Sequence, residues 1–251
     1  MSVVYILWRN IKWRFNNAFT IMITIVQPML WLVLYSSVAG QSMQGMGIEN
    51  YTAFILPGLI VLVSFSACSS GGIMNYLMKT GGSFYRVLIA PVHRSSIVLG
   101  QMLEAVLCTF LEVAIMCIVS LFFSVSIASG IAGFMLIILI VFMTAFFISG
   151  LTYTISLCLP NEVIYETEMN AIVLPIFFLS TALFPAENLS GGLAVAVHIN
   201  PFTHVINALR SLFFDATIMI ENILPVILLL MVMCCGSFAL ALWKLKREMR
   251  D

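Results

Sequence analysis

From Val113 to Asn161 the chain carries no charged side chain. One lipid-spanning helix takes about 20 residues, so this run is too long for a single helix and must turn back within it. Ser124, Ser126, Ser129 and Gly130 mark the turn. Apolar residues make up 62% of the 251 residues and charged ones 9%, against roughly a quarter charged in a soluble domain. Too few charges remain to cover a water-exposed surface, which excludes a soluble globular enzyme and a disordered chain. The net charge is zero, so no basic field exists for nucleic acid. The chain reads as an all-α integral membrane protein, one transmembrane domain over 1–251.

Six apolar stretches fit a span. They cover 18–38, 53–78, 97–123, 131–159, 169–184 and 223–243. Asn161, Glu162, Glu166 and Glu168 read as a short polar connection before the fifth. Arg9, Lys12 and Arg14 before the first stretch suggest a signal peptide, but Gln27 and Pro28 interrupt it and more spans follow, so it reads as a retained span. Six spans put both termini on one side. That side also collects Lys79, Arg86, Arg94 and the C-terminal Lys244, Lys246, Arg247 and Arg250, leaving Arg210 alone outside. Excess Lys and Arg marks the cytoplasm, so both termini are expected there. The six cysteines sit in apolar runs and fit neither a zinc site nor a disulfide scaffold.

Three regions are not simple spans. Within 1–17, Val4, Trp8, Ile11 and Phe15 share a helical face with Arg9 and Asn10 off it, the pattern of an interfacial helix on the inner leaflet. Residues 82–90 lie between a glycine pair and Pro91 and predict a short cytoplasmic helix. Phe84, Tyr85, Val87, Leu88 and Ile89 are too apolar for a solvated loop and need a partner surface. The outer stretch 185–221 predicts two short helices hinged at Asn200-Pro201, a re-entrant hairpin. Arg210 within it requires a partner, and Asp215 and Glu187 are the acids on that side.

Gln101, Glu104, Cys108 and Glu112 are three and four apart and share one face of the third span. Glu104 falls near the inner headgroups, where pairing with a loop arginine explains it. Glu112 lies deeper and is the stronger candidate for facing a path or a subunit seam. His93, His198 and His204 show no metal-site pattern. No G-x-x-x-x-G-K-S/T phosphate loop occurs, so no nucleotide site is expected in this chain.

Four segments together resemble the permease subunits of type-2 ABC exporters. Gln27-Pro28-Met29-Leu30-Trp31-Leu32 resembles the family's proline-aromatic first span, and Leu56-Pro57-Gly58-Leu59 its second-span opening. Gly82 to Leu88 with Ala90-Pro91-Val92-His93-Arg94 resembles the cytoplasmic signature. Asn200-Pro201-Phe202-Thr203-His204 with Ala208-Leu209-Arg210 resembles the outer signature. Phe84 and Tyr85 stand where members often carry an acid, which implies a more apolar contact. The resemblance implies a coupling helix at 82–90, with Gly82, Phe84, Tyr85, Arg86, Val87 and Leu88 against an ABC ATPase subunit. It implies two ATPase copies holding ATP and Mg, a second permease copy or sister subunit, and no cofactor in this chain. It implies a path lined by spans one, two and five, with Gln27, Trp31 and Glu112 along it, and an outer gate at Asn200, Pro201 and Arg210. Drugs, lipids, peptides and glycans are the implied cargo classes, carried across a cell membrane, in bacteria the plasma membrane.

Two other classes fit a six-span chain. An intramembrane serine protease would need an embedded serine in a G-x-S setting and an embedded histidine, and the chain has neither. A channel without an ATPase leaves the amphipathic segment at 82–90 unexplained. The expected topology has a direct test. Single cysteines at Ser190 and Thr217, in a background lacking the native six, should react with an impermeant thiol reagent added from outside. Labelling from the cytoplasmic side alone would overturn the six-span count and the orientation together.

Overall fold

The computed structural model describes residues 2–15, 22, 26–34, 37, 51–123, 125, 127–159, 161–183 and 191–248. Regular structure among them is helical throughout. The elements are α1 (Ser2–Arg14), α2 (26–34), α3 (Tyr51–Thr80), α4 (Ser83–Leu88), α5 (Arg94–Leu121), α6 (Gly130–Cys158), α7 (Glu162–Phe178), α8 (Gly192–Ile199), α9 (Pro201–Phe214) and α10 (Ile220–Glu248). Among the described residues, four helices are long and apolar enough to cross a membrane: α3, α5, α6 and α10. The expected first span lies mostly outside the described residues, with 26–34 helical.

The expected polar connection at 161–168 is helix instead. Asn161 accepts a hydrogen bond from Val163 N at 2.8 Å and so caps α7. A capped terminus followed by Glu162 favours starting a helix there, because an acid at the first turn meets the positive end of the helix dipole. Helix α7 then stops at Phe178, several residues short of the expected end. Its 17 residues span about 25 Å.

Helix α3 is the centre of the bundle and packs against α5, α6, α7 and α9. Close approach sets its sequence. A Cβ at Gly58 would lie 2.7 Å from Ala182 Cβ and 2.8 Å from Ala182 Cα. The turn after α7 therefore sits directly on α3. Polar side chains join helices inside the bundle: Asn75 Nδ2 donates to Ser156 Oγ at 2.9 Å, Tyr165 Oη to Ser69 O at 3.0 Å, and Ser149 Oγ to Met102 O at 3.2 Å. Two apolar cores result. The larger gathers α3, α5, α6 and α9, with Phe65 against Phe202 at 4.8 Å between ring centroids. The smaller lies at the α4 end and holds Ile6, Phe84, Met102 and Leu245.

Helix α1 docks on α5 by a polar seam. Ile6, Asn10 and Arg14 recur every four residues and are all buried. Ile6 lies over Gly100, where a Cβ would come within 2.7 Å of its side chain. Asn10 Nδ2 donates to Gln101 Oε1 at 2.9 Å. Arg14 Nη1 meets Glu104 Oε1 at 2.9 Å, and its Nη2 donates to Ser70 Oγ at 2.7 Å. Asn10 thus turns inward, while Val4, Tyr5, Trp8 and Trp13 are exposed. Glu104 pairs with an arginine of the N-terminal helix, not of a loop. At the α4 end, Lys79 pairs with Glu248, tying α3 to the end of α10.

Two consequences are measurable by thermal unfolding in detergent. Both side chains of the Arg14–Glu104 pair are nearly inaccessible, at 2% and 0%. Removing one partner strands a buried charge and costs about 3–5 kcal/mol. Arg14→Ala and Glu104→Ala should each lower the midpoint well below that of the double Arg14→Met/Glu104→Leu variant. Equal midpoints for all three would contradict the pairing. Gly58→Leu should also lower the midpoint, by overpacking of about 1–3 kcal/mol. Gly236→Leu, whose new Cβ meets open space, should leave it unchanged.

Candidate functional site

Three places hold the residues marked by the sequence. The first is α4. Gly82 precedes it with φ +73°, a left-handed conformation that glycine adopts without a steric penalty. Six residues make under two turns, so successive side chains point in quite different directions. Phe84 turns inward, 3% exposed, into the smaller core beside Met78 and Ile97. Val87 and Leu88 pack against the same core and are half-buried. Tyr85, Arg86 and Ile89 face away, with Tyr85 56% and Ile89 84% exposed. The outward surface is therefore Tyr85, Arg86 and Ile89, while Phe84 holds the helix to the bundle.

The second is a cavity of about 480 Å³ bounded by α2, α3, α5 and α7. Gln27 and Trp31, one turn apart on α2, meet Glu112 of α5 in its wall. Glu112 is 5% exposed and makes no hydrogen bond among the described residues. Glu166 and Asn170 of α7 and serines of α3 complete the polar part, and aliphatic side chains such as Leu62 and Val173 supply most of the rest, with Phe65 and Phe177 among them. The sequence reading missed Glu166 and Asn170 because it ended the polar connection at 168. Starting the helix at the Asn161 cap puts Glu166, Asn170 and Val173 on one face at spacings of four and three. That signal was available.

The third is the region of α8 and α9. The two short helices break at Asn200-Pro201, with Pro201 at the first helical position of α9. Asn200 joins three helix ends, its own N–H closing α8 on Ala196 O. Its Oδ1 accepts from Phe202 N at 3.0 Å and caps α9. Its Nδ2 donates to Ile176 O at 2.7 Å and Leu179 O at 2.8 Å, satisfying carbonyls at the end of α7. At the other end of α9, Ser129 Oγ donates to Leu212 O at 2.6 Å.

Arg210 pairs with neither expected acid. Glu187 lies outside the described residues. Asp215, at the C-cap of α9, is not its partner. Instead Nη2 donates to Thr181 O at 2.6 Å, Nε to Phe54 O at 3.2 Å and Nη1 to Asn207 Oδ1 at 3.2 Å. The guanidinium also lies 3.9 Å from the Phe54 ring centroid. Its planar fork suits several neutral acceptors at once, and its weak hydration lowers the cost of burial. Burial still pulls its pKa down to about 10. Arg210 thus links α9, α3 and the turn after α7.

These three places lie on a chain with known relatives. Residues 1–214 match the family described as ABC-2 type transporter. The chain is 27% identical over 197 residues to the "Putative transport permease ycf38" of Porphyra purpurea, covering 77% of this chain and 67% of that protein. The same-named protein of Cyanophora paradoxa is 26% identical over 201 residues, covering 77% and 68%. ABC transporter G family member 20 of Dictyostelium discoideum is 27% identical over 170 residues, which is 65% of this chain but 22% of that much longer protein. The long apolar helices, the α4 end and the length of the family match agree with one another, and the chain belongs to the ABC-2 type transporter family as a multi-pass membrane permease subunit of an ABC transporter.

Proposed function

We propose that this chain exports hydrophobic or amphipathic molecules, of the drug, lipid, peptide or glycan class, using ATP hydrolysed on separate ABC ATPase subunits. Two permease subunits, identical or sister, pair with two ATPase copies that hold ATP and Mg. Helices α2 and α7 supply the first and fifth of six spans, and both termini face the cytoplasm, in bacteria across the plasma membrane. Residues 82–90 form the coupling helix. Residues 185–221 form an outer re-entrant hairpin whose gate is Asn200, Pro201 and Arg210.

The observation that carries this reading is the cavity holding Gln27, Trp31 and Glu112. A purely lipid-facing surface gives no reason to group an amide and carboxylates with aromatics, because charged groups in the apolar phase are costly. A path for amphiphiles does: apolar walls accept the tail and a few polar groups accept the head. Outward-facing Tyr85 and Ile89 supply the apolar anchors that an ATPase groove would take, with Arg86 between them. Helix α4 lies six residues before the start of α5, and α5 carries Glu112. A push on α4 passes through the short segment 89–93 into α5, which runs continuously to Glu112 in the cavity wall.

The test is ATP-driven uptake of a fluorescent amphiphile into inside-out vesicles carrying this chain and its ATPase. Tyr85→Asp/Ile89→Asp should lose co-purifying ATPase and uptake together while still inserting. Asn170→Trp should keep the ATPase and lose most uptake, because an indole fills part of the cavity. Full uptake by Asn170→Trp would overturn the path. A retained, coupled ATPase in the Tyr85/Ile89 variant would overturn the docking surface.

A further inference from the structure

We infer that the cavity between α2, α3, α5 and α7 selects organic cations, with the Glu112 carboxylate as the charge-recognising group. The inference rests on the proposed path and specifies its cargo. Glu112 is more than nine-tenths buried, lines the cavity and has no hydrogen-bond partner among the described residues. Glu166 is a second carboxylate in the same wall. No lysine, arginine or histidine lines the cavity among the described residues. The Arg14 charge reaches Glu112, but its hydrogen bonds go elsewhere: it pairs with Glu104 and donates to Ser70.

The remaining wall suits the same class of ligand. Trp31, Phe65 and Phe177 line the same wall, and an aromatic ring attracts a cation through its quadrupole. Asn170 can accept from an ammonium proton but is not required for a quaternary or phosphonium centre. An acid beside aromatic faces disfavours an anion twice, by like charge and by the negative face of each ring. An inorganic cation fits poorly. Among the described residues, no group of three or more His, Cys, Asp or Glu side chains could hold a metal ion, and hard divalent cations take six or more oxygens. A lipophilic cation needs only one carboxylate and lets the apolar wall bind its organic groups.

The probe pair is tetraphenylphosphonium and tetraphenylborate, ions of nearly the same size and shape with opposite charge. Each is titrated onto the permease–ATPase complex in nanodiscs, with empty nanodiscs subtracted. The phosphonium should bind saturably and the borate should not exceed the empty-disc level. Glu112→Gln should weaken phosphonium binding about tenfold or more, the scale of losing one charge-assisted contact. Ser66→Lys, which brings a cation into the wall from an exposed position of α3, should abolish phosphonium binding and admit the borate. Borate binding by that variant shows that its own cavity is folded, since a misfolded cavity binds neither ion, and the fold of Glu112→Gln is checked by its thermal midpoint and co-purifying ATPase.

Equal phosphonium affinity for wild type and Glu112→Gln overturns the inference, as does borate binding to wild type as tightly as the phosphonium. The two readings fail separately. If Asn170→Trp stops amphiphile uptake while Glu112→Gln leaves phosphonium binding unchanged, the path stands and cation selection falls. If phosphonium binding depends on Glu112 but Asn170→Trp transports normally, the cation site stands and its place on the path falls.

Discussion

The Arg14–Glu104 pair sets the geometry of one end of this molecule. Both charges are removed from water, and a buried ion pair holds together only where its geometry is good and its remaining hydrogen-bonding atoms find partners. Arg14 meets these conditions in part: it places one donor on Glu104 Oε1 and another on Ser70, while the second carboxylate oxygen, Glu104 Oε2, is buried without a partner among the described residues. Ser70 belongs to α3 and Glu104 to α5, so one guanidinium fixes the N-terminal helix against two helices of the bundle. Asn10 on Gln101 adds a second polar contact one turn earlier, and Ile6 over Gly100 closes the seam with apolar contact. In an apolar phase such polar contacts specify register better than methyl groups do, because lipid competes for apolar surface and not for hydrogen bonds.

The arrangement at α4 follows from that seam. Ile6 belongs to the small core that also holds Phe84. Helix α4 is thus attached through Phe84 to the same cluster that α1 covers, and its outward face is what remains after that attachment. Chain connectivity then carries α4 into α5, past Gln101 and Glu104, and on to Glu112. In the proposed mechanism Glu104 and Glu112 share α5, and the coupling surface on α4 joins that helix through the short non-helical segment 89–93 and through Phe84 in the small core. Both ends of α9 are held as firmly: Asn200 ties its start to α7, and Ser129 ties its end to α6.

Much of this was legible in the sequence, for identifiable reasons. The turn at Ser124 to Gly130, the helix between Gly82 and Pro91, and the break at Asn200-Pro201 all rest on residues whose backbone preferences act locally. What was not legible depends on neighbours. Asn10 was read as lying off the apolar face of its own helix, and Arg14 as one of the basic residues before the first stretch. Their partners Gln101 and Glu104 lie some 90 residues away, and only matched spacings on two segments hint at the pairing. Phe84 was grouped with Tyr85 because both are aromatic in a short helix, and only the packing shows which turns inward. Arg210 was given an acid because carbonyl oxygens carry no sequence signature, yet two carbonyls and an amide hold it. The start of α7 was a misreading of available information, since Asn161 is a strong cap.

Glu104 and Glu112 sharpen the contrast between structural and functional charge on a single helix face. They are two turns apart on α5 and both buried. A bare carboxylate at either place costs several kcal/mol. At Glu104 the molecule offsets much of that cost internally, with an arginine from another helix on Oε1, although Oε2 is buried without a partner among the described residues. At Glu112 no described side chain of the chain does so, although Arg14 is near enough for its charge to act there. Arg14 offsets part of that cost at a distance, the carboxyl can take up a proton, and water or a ligand entering the cavity can supply the rest. A carboxylate left in that condition is a poor structural element, since an isosteric leucine would pack without the cost. It is a good recognition element, because the same desolvation that makes it expensive when bare makes a cation of matching shape bind there more strongly than in water.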